Sequence, residues 1–184
     1  MKIKYVLLAT LFVFGFLFVN AQTPTFEKGD KVLNLGIGFG GYGTWGYKVS
    51  LPPVSASFEV GVKDGVLDKG TIGIGGYLAY ASYKQRDYYG DSYWSFSRMV
   101  IGARGTFHYP FIDKLDTYGG LMLGFNNNTW KWHGSGSSGI DSGGTGLGFS
   151  LFAGGRYYFS NNLAVMGELG YGISYLNLGI ALKF

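Results

Sequence analysis

Beyond residue 30 the chain alternates between bulky apolar side chains and small or polar ones, and turn residues divide this alternation into eight segments. A period of two is the spacing of a strand, so each segment has one apolar face and one polar or empty face. The first, about 31–41, sets Leu33, Leu35, Ile37 and Phe39 against Asn34, Gly36, Gly38 and Gly40. The second, about 53–63, sets Val54, Ala56, Phe58, Val60 and Val62 against Ser55, Ser57, Glu59, Gly61 and Lys63. The third, about 71–83, carries Ile72, Ile74, Leu78 and Tyr80. The fourth, about 93–109, carries Met99, Ile101, Ala103, Phe107 and Tyr109 opposite Arg98, Gly102, Arg104, Thr106 and His108. Leu121, Leu123 and Phe125 mark the fifth, about 117–126. Leu147, Phe149, Leu151, Ala153, Tyr157 and Phe159 mark the sixth, about 145–159, over a mostly small row that includes Arg156. In the seventh, about 163–171, Leu163, Val165, Leu169 and Tyr171 oppose Ala164, Met166, Glu168 and Gly170. The eighth runs Leu176, Leu178, Ile180, Leu182, Phe184. No segment after Ala21 has a helical period.

The connectors alternate in length. Residues 63–69, 110–116 and 160–162 are short, 41–52, 84–92 and 126–144 are long, and the last hairpin, around 172–175, is tight. Strands joined this way predict an all-β, eight-stranded antiparallel up-and-down meander. Ten strands would need two further alternating segments that the sequence does not contain. A soluble barrel of the lipocalin type alternates as well, but it turns its apolar face inward. Here charge and glycine share one face, and a small lumen has no room for the dense wall of Leu, Ile, Val and aromatic residues on the other. The apolar face is therefore expected to point outward into lipid, which makes the predicted fold a transmembrane β-barrel.

Composition fits that reading. The 33 glycines suit a lumen where side chains from all walls converge, and 15 Tyr with 15 Phe suit the two membrane interfaces. At the start of the chain Lys2 and Lys4 precede an apolar stretch from Tyr5 to Val19, then Val19-Asn20-Ala21. That pattern predicts a cleaved secretory signal peptide over 1–21 and a barrel domain over 22–184. The stretch is shorter than the ~20 residues of a spanning helix and contains Thr10 and Gly15. Cleavage removes two of the 15 basic residues, leaving 13 against 11 acidic, which gives no basis for a nucleic-acid partner. Without cysteine there is no disulfide, thiolate metal site or lipoprotein anchor to expect.

The closing strand, Leu176 to Phe184, resembles that of bacterial outer-membrane barrels, in which a terminal aromatic is part of the signal read by the barrel assembly machinery; Phe184 stands at that position. Residues 22–184 as a whole resemble OmpA/OmpX-type eight-stranded barrels in their stand-alone form, the "outer membrane beta-barrel" or "porin family" proteins. Glu168-Leu169-Gly170-Tyr171-Gly172-Ile173-Ser174, Leu178-Gly179 and Lys183-Phe184 look particularly like members from Bacteroidota. The resemblance implies the bacterial outer membrane, with short turns and both termini periplasmic and long loops outside. It implies outer-membrane lipid and lipopolysaccharide around the wall, the assembly machinery during biogenesis, and room for an outer-membrane protein partner. The chain stops at the barrel, so the peptidoglycan-binding role of full-length OmpA is not implied.

Motifs add little chemistry. Gly36-Ile37-Gly38-Phe39-Gly40-Gly41 has dinucleotide-site spacing, but Tyr42-Gly43-Thr44-Trp45-Gly46 and Pro52-Pro53 follow where a helix is required. His133-Gly134-Ser135 has the His and Ser spacing of the outer-membrane lipid A deacylase, with Asp141 as a candidate acid. It sits in a Gly- and Ser-rich stretch too flexible to hold a base and nucleophile in register. Asp141-Ser142-Gly143-Gly144-Thr145 offers one carboxylate, too few for calcium. His108 reads as a polar residue at the inner rim. Lys84, Arg86, Tyr88, Tyr89, Tyr93 and Trp94 read as an outer-rim girdle, with Lys84 and Arg86 placed to meet lipopolysaccharide phosphates. Trp45, Tyr47, Trp130 and Trp132 give the other long loops the same character, and exposed aromatics equally suit a protein partner.

By parity Glu59, Arg104, Arg156 and Glu168 point into the lumen from four strands. Counting residues from the strand ends puts the first, second and fourth near mid-membrane and Arg156 nearer the periplasm. Eight strands enclose only enough space for side chains to fill, so a plugged lumen is expected. The predicted function is a non-enzymatic integral barrel, without cofactor or metal, serving envelope structure or interaction through its extracellular loops. The alternatives are a narrow porin-like channel, a lipid A-modifying hydrolase, and a subunit of a larger outer-membrane complex.

Overall fold

The alternating segments form eight strands: β1 (Lys31–Phe39), β2 (Lys48–Val66), β3 (Gly70–Arg86), β4 (Tyr93–Ile112), β5 (Leu115–His133), β6 (Ser142–Tyr158), β7 (Leu163–Gly170) and β8 (Leu176–Lys183). The computed structural model describes residues 25–41, 47–86, 92–134 and 142–184. The predicted signal peptide, 1–21, lies outside them. Each strand pairs antiparallel with the next and β1 pairs with β8, so the sheet closes into a barrel with the predicted meander order. Paired residues followed once round the wall lead from Tyr157 through Val165, Ile180, Leu35, Ala56, Leu78, Ile101 and Phe125 to Leu147. Tyr157 and Leu147 lie ten residues apart on the same strand, and that stagger tilts every strand across the barrel axis.

The alternation sorts the faces as expected. Leu35, Ile37, Phe58, Ile74, Ile101, Leu123, Phe149, Leu169 and Ile180 are exposed on the outside. Asn34, Ser57, Glu59, Arg104, Thr106, His108, Asp116 and Arg156 are buried on the inside. This is the reverse of a soluble core, and lipid is the solvent that suits it.

Five strands extend well past the predicted segments. β2 begins at Lys48, before Pro52-Pro53, β3 reaches Arg86, and β5 continues through Asn126-Asn127-Asn128 to His133. The prolines lack N–H donors, and the ladder slips on either side of Leu51 to accommodate them. The asparagine run reads as loop, yet it pairs with Arg98, Met99 and Val100 on one side and Gly144 to Gly146 on the other. β1, β7 and β8 have 9, 8 and 8 residues, against 17 to 20 for the other five. The wall is thus tall over β2–β6 and low over β7–β8–β1 at the long-loop end.

The opposite end, where β1 starts and β8 finishes, is closed by residues 25–30, which precede the first alternating segment. Gly29 takes a left-handed turn at φ 97°, its N–H donates to the Gly61 carbonyl (2.9 Å), and the Gly61 N–H donates to the Asp30 carbonyl (3.0 Å). A side chain at Gly61 would collide with the Glu27 carbonyl, so glycine is what lets this strap lie against the wall. The strap inserts Phe26 into the mouth of the barrel, where it is 2% exposed.

Candidate functional site

The lumen holds two tiers of charge. In the tier near the strap, Arg156 projects from β6 and is 1% exposed. Its guanidinium donates through Nε to Asn34 Oδ1 (2.9 Å), through Nη1 to Asp116 Oδ2 (2.9 Å) and through Nη2 to Glu59. His108 of β4 sets Nδ1 2.7 Å from Asp116 Oδ1 and Nε2 2.9 Å from Glu59 Oε1, while the Thr106 hydroxyl donates to Glu59 as well. Carboxylates only accept, so a ring between two of them is suited to the imidazolium form, and two cations then balance two anions. Phe26 stacks on His108 at 4.1 Å between centroids, capping the tier from the strap side.

The second tier lies deeper. Arg104 Nη2 donates to Glu168 Oε2 at 2.6 Å, the Arg104 guanidinium carbon sits 3.7 Å from the Phe152 ring centroid, and the Tyr118 hydroxyl donates to Glu168 at 3.3 Å. Tyr118 also underlies Arg156 at 4.6 Å, so one ring separates the tiers. Glu59 therefore partners Arg156, while Arg104 partners Glu168. Residue counting had put Glu59 level with Arg104, because it ignores the stagger that offsets equal positions on tilted strands.

At the long-loop end the two faces differ. On the outer face Lys48 is level with Lys84, Lys84 with Ser95, and Ser95 with Lys131, placing three lysines on one register row. Lys84 Nζ lies 5.1 Å from the Tyr93 ring, which stacks on His133 at 4.5 Å. Arg86 pairs with Tyr93 in the ladder. On the inner face Trp94 meets Trp132 at 5.1 Å and Phe96 meets Trp130 at 4.4 Å, so Trp94 lines the inside of the tall wall. Tyr88, Tyr89 and Trp45 lie outside the described residues. Among the described residues no carboxylate stands at this end of the barrel.

The predicted His133 and Ser135 pairing can be followed only at His133, since Ser135 and Asp141 lie outside the described residues. His133 Nε2 instead lies 3.0 Å from Ser95 Oγ on the neighbouring strand. That serine also reaches the Lys131 carbonyl at 3.4 Å. Among the described residues no group of three His, Cys, Asp or Glu side chains is placed to hold a metal ion.

No protein-family model matches the chain, and no curated protein matches it. Solved structures do. Ail, the attachment invasion locus protein of Yersinia pestis, in complex with the heparin analogue sucrose octasulfate, aligns at TM-score 0.50 and 13% identity over 85% of this chain and 96% of its own. The chain has the fold of an eight-stranded outer-membrane β-barrel. Ail in a phospholipid bilayer nanodisc aligns at 0.48 and 16% over 85% and 100%, and the N-terminal β-barrel domain of Pseudomonas aeruginosa OprF at 0.45 and 14% over 86% and 98%.

Two members of the barrel's buried tier are not picked out by the sequence pattern. Asp116 falls inside the 110–116 connector, yet it shares even-numbered parity with Tyr118 and Met122, and extending the fifth segment by one residue would have turned it inward. His108 was placed at the rim without partners, because its carboxylates come from β2 and from across the short β4–β5 turn. Phe26 carried a signal too: a lone aromatic three residues ahead of Gly29-Asp30, a turn pair.

Proposed function

We propose that the protein is a non-enzymatic integral barrel of the bacterial outer membrane, closed to solutes and anchored by its lysine row to anionic lipid of the outer leaflet. The observation that carries the reading is the lumen itself. Arg156, Glu59, Asp116 and His108 fill one level and Arg104 with Glu168 the next, leaving beside the second tier a cavity of only ≈ 30 Å³. With short turns periplasmic and long loops outside, both termini are periplasmic and Lys48, Lys84 and Lys131 stand at the outer rim. Three ammonium groups in a row above an apolar wall suit the phosphates of lipopolysaccharide, with Tyr93 beside Lys84 in the headgroup layer. The Ail structure with a sulfated sugar shows a barrel of this fold holding a polyanion, which is the same ligand chemistry. A protein partner at the loops and a subunit role remain compatible with this surface.

Planar-bilayer recording on the purified monomer is expected to show no steady conductance. A stable, large open channel would replace this reading with the porin alternative, and lipid A losing an acyl chain on expression would replace its non-enzymatic part.

Assembly gives a second expectation. Phe184 is exposed and its N–H donates to the Lys31 carbonyl (2.9 Å), so the last residue completes the seam at which β8 meets β1. An open seam in hydrocarbon strands backbone groups at several kcal/mol each. Deleting Phe184 is expected to lower the fraction of folded, heat-modifiable barrel in cells, read on unboiled gels. Equal folded yields would remove Phe184 as an assembly signal.

A further inference from the structure

The low side of the wall leaves a notch. Above Phe152, β6 continues to Ser142 with β5 on one side and, among the described residues, no paired β7 residue on the other. A single bond, from the Tyr171 N–H to the Leu151 carbonyl (2.9 Å), ends the pairing. Along a strand, alternate residues turn their N–H and C=O to the same side, so those of Phe149 and Leu147 share the open side with Leu151. Outside the notch stand Leu147, which is 85% exposed, Phe149 and Tyr171. Behind it lie Arg98, Asn126 and Ile173, lining a cleft of ≈ 320 Å³ that joins the inner face to the outer one.

Arg98 is the unusual member. Its Nε donates to Asn128 Oδ1 (2.9 Å) and its guanidinium carbon lies 5.7 Å from the Phe96 ring centroid, but among the described residues it has no carboxylate partner. The other two lumenal arginines are both paired to acids. A cation behind an apolar gap, with N–H donors on the gap's open edge, calls for a ligand with an anionic head and a hydrocarbon tail.

We propose that this notch binds one long-chain carboxylate, a free fatty acid, with its head at Arg98 and its chain along Leu147 and Phe149 in the outer leaflet. The carboxylate accepts from the guanidinium fork and from the strand edge, groups that are otherwise costly to leave in hydrocarbon. The tail keeps its methylenes in lipid against the exposed leucine and phenylalanine. A single chain with a compact head suits a cleft of this size. The site rests on the membrane setting proposed above and is independent of the closed lumen, since it lies above the Arg104 tier.

The test is equilibrium titration of the barrel, in phosphatidylcholine nanodiscs, with radiolabelled palmitate and with hexadecanol, the same chain without a charge. Palmitate is expected to saturate at one site per barrel and hexadecanol to show no saturable site. Arg98→Gln is expected to weaken palmitate binding by about tenfold or more. Leu147→Glu, which sets a negative charge on the surface at the notch, is expected to weaken it similarly and gives the same discrimination if the Arg98 variant fails to fold. Binding that never saturates, or that is equal in the native protein and a folded variant, overturns the site. Failure of the native chain to enter nanodiscs at all would instead overturn the membrane setting.

Discussion

Arg156→Ala is expected to destabilise the barrel by about 3–5 kcal/mol, the usual consequence of removing one partner of a buried ion pair and leaving the other uncompensated. Here two carboxylates are left. Glu59 and Asp116 both depend on the Arg156 guanidinium, and both are also held by the His108 ring. Losing Arg156 leaves one cation between two anions inside a closed wall. Ser57→Ala, by contrast, removes a neutral hydroxyl that accepts one hydrogen bond from Asn34 Nδ2 (2.9 Å), a change of about 1 kcal/mol. Urea unfolding of the folded barrel in lipid, with the two variants side by side, gives the comparison. Equal midpoints for Arg156→Ala and Ser57→Ala would mean that the tier is wet and screened.

Phe26→Ala should release the strap. Truncating a buried phenylalanine commonly costs about 3–5 kcal/mol, and this ring stacks on the His108 imidazole, lies 5.8 Å from the Arg156 guanidinium and shares a buried cluster with Val32, Tyr158, Ala164 and Ala181. The rest of the segment is held by a few bonds: Gly29 and Asp30 to Gly61, the Lys28 N–H to Asp64 Oδ1 (2.7 Å), and Lys183 Nζ to the Thr25 carbonyl (3.2 Å). Without the ring these do not hold the strap in the mouth. Amide hydrogen exchange at Gly29 and Gly61 is expected to accelerate by orders of magnitude while the β4–β5 ladder stays protected. Conductance is expected to remain closed, because the Arg104–Glu168 tier lies beyond the strap. Unchanged exchange at Gly29 would show that the backbone bonds alone hold it.

The barrel was legible because each strand announces itself: Leu33 to Phe39, or Val54 to Val62, cannot satisfy both faces except with lipid on one and a lumen on the other. Inward residues followed from parity alone. Their partners did not, since which arginine meets which acid depends on a stagger of ten residues accumulated over eight pairings, and no single strand contains it. Strand length was hidden for a related reason. Asn126-Asn127-Asn128 and Gly143-Gly144 lack apolar alternation, yet the ladder persists there after the apolar pattern has stopped, because backbone pairing needs no apolar face. The lysine row needed both pieces, long strands and their register, to bring residues 48, 84 and 131 together.

Lys183 reaches back to the Thr25 carbonyl and to Asp30 (3.4 Å), so the penultimate residue of the chain ties down the first described segment. The strand that closes the wall thus also fastens the strap across its mouth. A chain interrupted before β8 lacks both the neighbour that closes β1 and the knot that secures the strap. Its charged interior then lies open at the strap end, with Arg156 and His108 wetted instead of sealed beneath Phe26.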